Sequence, residues 1–204
     1  MHVTIANPIN TAPFMYLMND NEVAKQLISL ITGEEVLELS SAPKEYYLTD
    51  ERSHSVFCLC LLAKIATPEG SKDVLIEMKK ARKATDILRV RPYYPLPAYC
   101  IYFLGYVKDN FSVPVLKSIP QVKDAVTGEV MEVQNEFIEC LHPRMWLIQI
   151  PLLATACKQK DINFESPFFN IREELVPEKY RFITHCLQQA AYSSPVRDEI
   201  VMMG

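Results

Sequence analysis

The chain has 204 residues, of which 49% are hydrophobic and 23% charged, and a formal net charge of −4. That apolar content and small net charge exclude a globally disordered chain, and a domain this long buries roughly 70% of its unfolded surface without disulfides or a structural metal. The longest apolar runs, Val56 to Ala63 and Ala98 to Leu104, fall far short of the roughly 20 residues that a membrane-spanning helix needs.

In chain order, Asn19 or Asp20 is placed to cap a helix through EVAKQLISLI, whose apolar residues Val23, Leu27, Ile28, Leu30 and Ile31 recur at helical spacing. Gly33 ends it. EVLEL (35–39) alternates at period two and reads as a first strand, with Glu45 to Leu48 extending this region or pairing locally. Ser55 to Ile65 and Lys72 to Lys79 read as two strands around the turn TPEG (67–70), together a β-hairpin. A helix is expected from Lys80 to about Val90, stopped by Pro92. AYCIYFLGY (98–106) and MWLIQI (145–150) have the continuous apolar character of buried strands. The stretch 107–140 is loop-rich with a turn at TGE (127–129), and Pro177 opens a helix to about Tyr192. The order gives one mixed α/β sheet domain over 1–204, with a core at about 14–106 and an elaborated C-terminal third at about 107–204.

The opening residues lack the basic and apolar regions of a secretory signal, and the six cysteines (58, 60, 100, 140, 157, 186) are scattered. Reduced, buried thiols in a cytoplasmic protein are therefore expected.

Charge is unevenly spread. Lys72 to Arg91 holds seven basic and three acidic residues, a net +4, which leaves −8 for the rest. Such a stripe can serve as an anion-binding surface, but charge alone favours a solvated helix face. Within it, Ile76-Glu77-Met78-Lys79 places a carboxylate and an ammonium two apart on one strand face. In metal-assisted phosphodiester hydrolysis such a carboxylate holds Mg²⁺, while the lysine positions water or stabilises charge at phosphorus. Lys80, Arg82, Lys83, Arg89 and Arg91 follow at once and are suited to contacts with a DNA backbone.

These features lie in a longer pattern: YLMNDNEVAKQLISLITGEEVLEL (16–39), TPEGSKDVLIEMKKARKATDILRVR (67–91), PLPAYCIYFLGY (95–106), FIECL (137–141) and LQQAAYSSPVRDEI (187–200). It resembles the PD-(D/E)XK nuclease family transposases of the recombination-promoting nuclease type, in the form common in gut Bacteroidetes. The resemblance implies a restriction-endonuclease-like mixed sheet flanked by helices and Mg²⁺-dependent DNA cleavage. It also implies an acid on the first hairpin strand, followed by E-x-Q or E-x-K on the second. Glu77 matches the second acid and Lys79 the lysine.

Three departures bear on activity. The first-strand acid falls at Cys60, where Cys58-Leu59-Cys60 replaces the usual Arg-x-Asp; Thr11 and Met15 stand where an acid and a lysine are usual; and a loop after Arg91 is shortened. Thiolate is a soft ligand and Mg²⁺ a hard ion, so cysteine substitutes poorly for aspartate. Glu22 on the first helix is the remaining candidate for a second metal-binding carboxylate beside Glu77, against its reading as a surface acid in a first helical turn. Cys58 and Cys60 share a strand face, but zinc would want further ligands. A cysteine hydrolase using His54, His142 or His185 rests on residue types alone. Trp146 reads as core, not as a base-stacking platform. The expectation is a nuclease-like protein with weak or absent cleavage, using Mg²⁺ if active. The alternative is a non-catalytic DNA- or protein-binding module derived from a mobile element, and a third is a relic without retained function.

Overall fold

A computed structural model describes residues 1–42, 57–85, 94–108, 111–131, 136–156, 162–163 and 166–203. The expected strand extension at Glu45 to Leu48, His54, Cys157, the second half of the expected basic helix, Arg89 and Arg91 lie outside the described residues.

The chain opens with strand β1 (His2–Ala6) and helix α1 (Thr11–Asn19), then α2 (Asn21–Thr32) and β2 (Val36–Ser41). Asp20 caps α2 by accepting from the backbone N–H groups of Glu22 and Val23 at 3.1 and 3.2 Å. Gly33 closes it in the left-handed region, at φ 77°, and its N–H returns to the carbonyl of Ser29. Asn10 makes no side-chain cap on α1. Instead the Glu199 carboxylate, from the far end of the chain, accepts from the backbone N–H groups of Thr11 and Ala12 at 3.0 and 2.7 Å. A carboxylate there also meets the positive end of the helix dipole.

The hairpin is present as β3 (Phe57–Thr67) and β4 (Gly70–Ala81), paired from Phe57↔Lys80 to Thr67↔Gly70. β5 (Ala98–Leu104) runs parallel to β4. β6 (Val115–Ser118) follows, then a small hairpin of β7 (Val122–Lys123) and β8 (Val130–Met131) around the expected TGE turn. After α3 (Glu136–Leu141) come β9 (Arg144–Gln149), α4 (Ile150–Ala156) and β10 (Phe168–Arg172). Two 3-10 turns precede α5 (Arg181–Ala190), and α6 (Ser194–Met203) ends the chain.

The main sheet has the order β2-β3-β4-β5-β9-β6, with β4, β5 and β9 parallel to one another and the remaining pairs antiparallel. It is a six-stranded mixed sheet flanked by helices, the restriction-endonuclease-like α/β architecture expected from the sequence. Two of the six strands come from beyond residue 106, so the core reaches past the expected 14–106. β1 leaves this sheet and pairs antiparallel with β10.

β4 is buried from Val74 to Ala81 because both of its faces are covered. On one face Val74, Ile76 and Met78 pack with Phe14, Leu27, Ile28, Ile101 and Trp146, so α1 and α2 cover that side. On the other, Leu75 joins Cys60, Tyr94, Ala98, Cys100 and Tyr102. Each such fully buried aliphatic side chain contributes about 1.5–3 kcal/mol. At the end of β5, Gly105 donates its N–H to the carbonyl of Ala81 at 2.9 Å. A Cβ at Gly105 would sit 3.0 Å from the carbonyl oxygen of Arg82, so a side chain there would push the two strand ends apart.

One expectation is corrected here. No helix begins at Lys80: Lys80 and Ala81 continue β4, and residues 82–85 form a bend and turn. The central strand gains more from completing its ladder to β5, through Lys80↔Phe103 and Ala81↔Leu104, than the basic run gains from its own helix propensity.

Candidate functional site

The hairpin register sets Cys60 directly opposite Glu77, and Cys58 opposite Lys79. Parallel pairing with β5 then places Cys100 beside Glu77 and Tyr102 beside Lys79. Side chains alternate across a sheet, so all of these converge on the face away from α2.

Glu77 is 2% exposed and Lys79 8%. The Lys79 ammonium lies 3.0 Å from Oε2 of Glu77, and the Tyr94 hydroxyl donates to the same oxygen at 2.9 Å. The Cys100 thiol lies 3.8 Å from that oxygen and 3.3 Å from the Tyr94 hydroxyl. Oε1 faces the Cys58 thiol at 3.5 Å, and the Cys58 and Cys60 sulfurs are 3.9 Å apart. Lys79 also sits 5.7 Å from the centre of the Tyr102 ring. This is a low-dielectric site in which the carboxylate is held by an ammonium, a phenol and thiols.

The Cys58 and Cys100 thiols are shifted against ionisation. The hydrogen bond to Cys60 is the largest influence raising the Cys58 thiol, with partial burial and the charge of Glu77 adding to it. Burial first, and Glu77 as well, push Cys100 up to about 11. Burial likewise raises Tyr102, whose hydroxyl finds no hydrogen-bond partner among the described residues. The Cys58 and Cys100 thiols are therefore protonated at neutral pH unless a cation compensates them, which does not suit a cysteine nucleophile. His142 and His185 are exposed on other elements, and His185 hydrogen-bonds Gln189. No Cys–His arrangement forms among the described residues.

The structure thus joins Glu77, Lys79 and Cys60 and sets the other predicted residues apart. Glu22 projects from α2, which covers the opposite face of β4; its carboxylate is exposed and pairs with Lys25 at 2.7 Å. It is not brought to Glu77, because the helix that carries it buries Leu27 and Ile28 against Ile76 and Met78. Lys80 is 3% exposed. It donates to the carbonyl of Asn10 at 2.8 Å, between the rings of Phe14 and Phe57 at 4.7 and 4.6 Å, and so faces no solvent phosphate. Burial lowers its pKa to about 7. Arg82 and Lys83 are exposed at the end of β4.

A magnesium ion does not fit these residues. Mg²⁺ requires hard oxygen donors in near-octahedral array. Oε1 of Glu77 faces the Cys58 sulfur, the Cys60 sulfur completes a cluster within 4.8 Å, and Oε2 is taken by Lys79 and Tyr94. No second carboxylate joins the cluster among the described residues.

The pairing of Glu77 with Lys79 is legible from their spacing. Tyr94, Cys100 and the approach of Cys58 to Glu77 are not, since they depend on cross-strand register. The hairpin turn could have supplied the register between Cys60 and Glu77; no local signal supplies that of β4 with β5. No helix among the described residues is long and apolar enough to cross a membrane. Searches of family models, curated proteins and solved structures give no match to this chain.

Proposed function

We propose that the chain is a nuclease-fold protein of the PD-(D/E)XK transposase-associated type that has exchanged its Mg²⁺ centre for a buried cysteine–carboxylate cluster and does not cleave DNA. The observation that carries the reading is the register Cys60↔Glu77: a thiol stands across the hairpin from the one retained acid, where the resemblance calls for aspartate. Lys79, which would assist water in an active relative, instead neutralises Glu77 in the dry interior. The expected outcome is that purified protein leaves supercoiled plasmid intact in Mg²⁺ or Mn²⁺. Nicking by wild type that disappears in Glu77→Ala overturns the proposal.

The retained role on this reading is that of a DNA-binding module making backbone contacts. The exposure of Arg82 and Lys83 where β4 ends supports it; Lys80 is withdrawn from that surface. The double charge reversal Arg82→Glu with Lys83→Glu should weaken binding to duplex DNA equally across sequences and shrink the salt dependence by about one to two charges. Unchanged binding at every salt concentration would remove Arg82 and Lys83 from the interface.

A further inference from the structure

We propose that Cys58, Cys60 and Glu77 form a three-ligand site for a borderline-soft divalent cation of the zinc class, with the fourth position left to water or an external ligand. The argument starts with distances. An ion held tetrahedrally at about 2.3 Å from sulfur and about 2.0 Å from oxygen sets two sulfurs about 3.8 Å apart, and a sulfur and an oxygen about 3.5 Å apart. The corresponding separations are 3.9 Å between the sulfurs of Cys58 and Cys60, and 3.5 Å between Cys58 Sγ and Glu77 Oε1. All three donor atoms lie within 4.8 Å of one another.

The carboxylate is oriented for the task. Its Oε2 is fixed by Tyr94 and Lys79 at 2.9 and 3.0 Å, which turns Oε1 toward the thiols. Partners of this kind orient metal ligands from the outer shell. Charge also balances: two thiolates and one carboxylate carry −3, offset by a divalent cation and the Lys79 ammonium. In so dry a site that neutrality matters, because an uncompensated charge costs several kcal/mol. Both thiols surrender their protons to solvent on binding. Donor chemistry selects the class of ion, since sulfur and a single carboxylate oxygen favour zinc, cadmium or cobalt over magnesium or calcium. Access is through Cys58, which is exposed while Cys60 is buried.

The test is titration of the reduced, full-length chain with Co²⁺ and with Cd²⁺. One equivalent should produce the visible absorption of tetrahedral cobalt and the ultraviolet thiolate-to-cadmium band, and excess Mg²⁺ should not suppress either. Cys58→Ser and Cys60→Ser should each lose the stoichiometric signal, whereas Cys140→Ser, a buried thiol on α3, should keep it. Tyr94→Phe should weaken binding by roughly 10-fold. Cys58 lies at an exposed strand end, so Cys58→Ser tests the site even where Glu77→Gln fails to fold. Zinc should also slow alkylation of Cys58 in the wild type, read by peptide mass. Absence of both bands at one equivalent, or bands that persist in Cys58→Ser and Cys60→Ser, overturns the proposal. Failure here is distinguishable from failure of the nuclease-fold reading: a chain that neither nicks plasmid nor binds cobalt loses this inference and keeps that one.

Discussion

Lys79 and Lys80 are neighbours in sequence and both are buried, yet the two faces of β4 treat them differently. Lys79 enters a face that already holds a carboxylate, a phenol and three thiols. Lys80 enters the opposite face, between two phenyl rings, with a backbone carbonyl as acceptor. Lys79 has a carboxylate within ion-pair distance. A buried ammonium without a carboxylate beside it loses much of its proton affinity, and burial outweighs the more distant pull of Glu199. Two adjacent lysines thus report what a partner is worth in a protein interior.

The largest expected effect tests the paired face. Glu77→Ala leaves Lys79 buried against no carboxylate and should cost about 3–5 kcal/mol in denaturant unfolding. The double variant Glu77→Met with Lys79→Met should recover most of that loss, because removing both charges removes the desolvation cost too. If the single and double variants are equally unstable, Glu77 is held by something other than Lys79.

A comparable effect tests the other face. The folded-state pKa of Lys80 is depressed to about 7, while an unfolded lysine titrates near 10.4. Between those values the unfolded chain binds the extra proton, so this group makes stability rise with pH from about 7 to about 10. Below pH 7 its full cost is present; above about 10 it is gone. The span amounts to roughly 4–5 kcal/mol. Lys80→Met should therefore stabilise the protein at neutral pH and flatten that part of the wild-type profile. Equal slopes in both proteins would show that Lys80 keeps its charge.

The smallest effect belongs to a third ionic cluster, at the end of the sheet. Arg144 bonds Glu34 and Glu139 at 2.8 and 3.3 Å, and Tyr99 donates to Glu34 at 2.5 Å. Glu34, Glu139 and Arg144 line a cavity of about 730 Å³, and these side chains are about a quarter exposed. Water screens it, so Arg144→Met should cost about 1 kcal/mol, and less at high salt. A loss as large as that of Glu77→Ala would mean that exposure does not separate the two clusters.

The same contrast explains what the sequence discloses. α2, the hairpin, β5 and β9 stand out because their periodicity, cap and turn residues agree with their packing. β1 and β10 do not, since each is five residues long and stable only against the other. At α1 the cap-type residue Asn10 makes no side-chain cap, and Glu199 supplies the acceptor from a distant part of the chain. The basic run after Glu77 suggests a solvated helix, and it misleads because charge alone does not reveal that Lys80 has a carbonyl and two rings waiting inside. Glu77 and Lys79 are legible as a pair at period two; Cys58 and Cys60 arrive across the antiparallel hairpin, whereas Cys100 arrives through parallel pairing with β5, which no short stretch encodes.

The pairing of β1 with β10 also has a consequence in time. Residues 2–6 find their partners only at 168–172, and the start of α1 waits for Glu199. At a synthesis rate of roughly 5–20 residues per second, the first strand emerges from the ribosome and remains unpartnered for roughly 10–30 s. During that interval β1 is an open sheet edge, exposed to pairing with other chains, and closure of the native ring of contacts is deferred until residues 168–172 and Glu199 have been made.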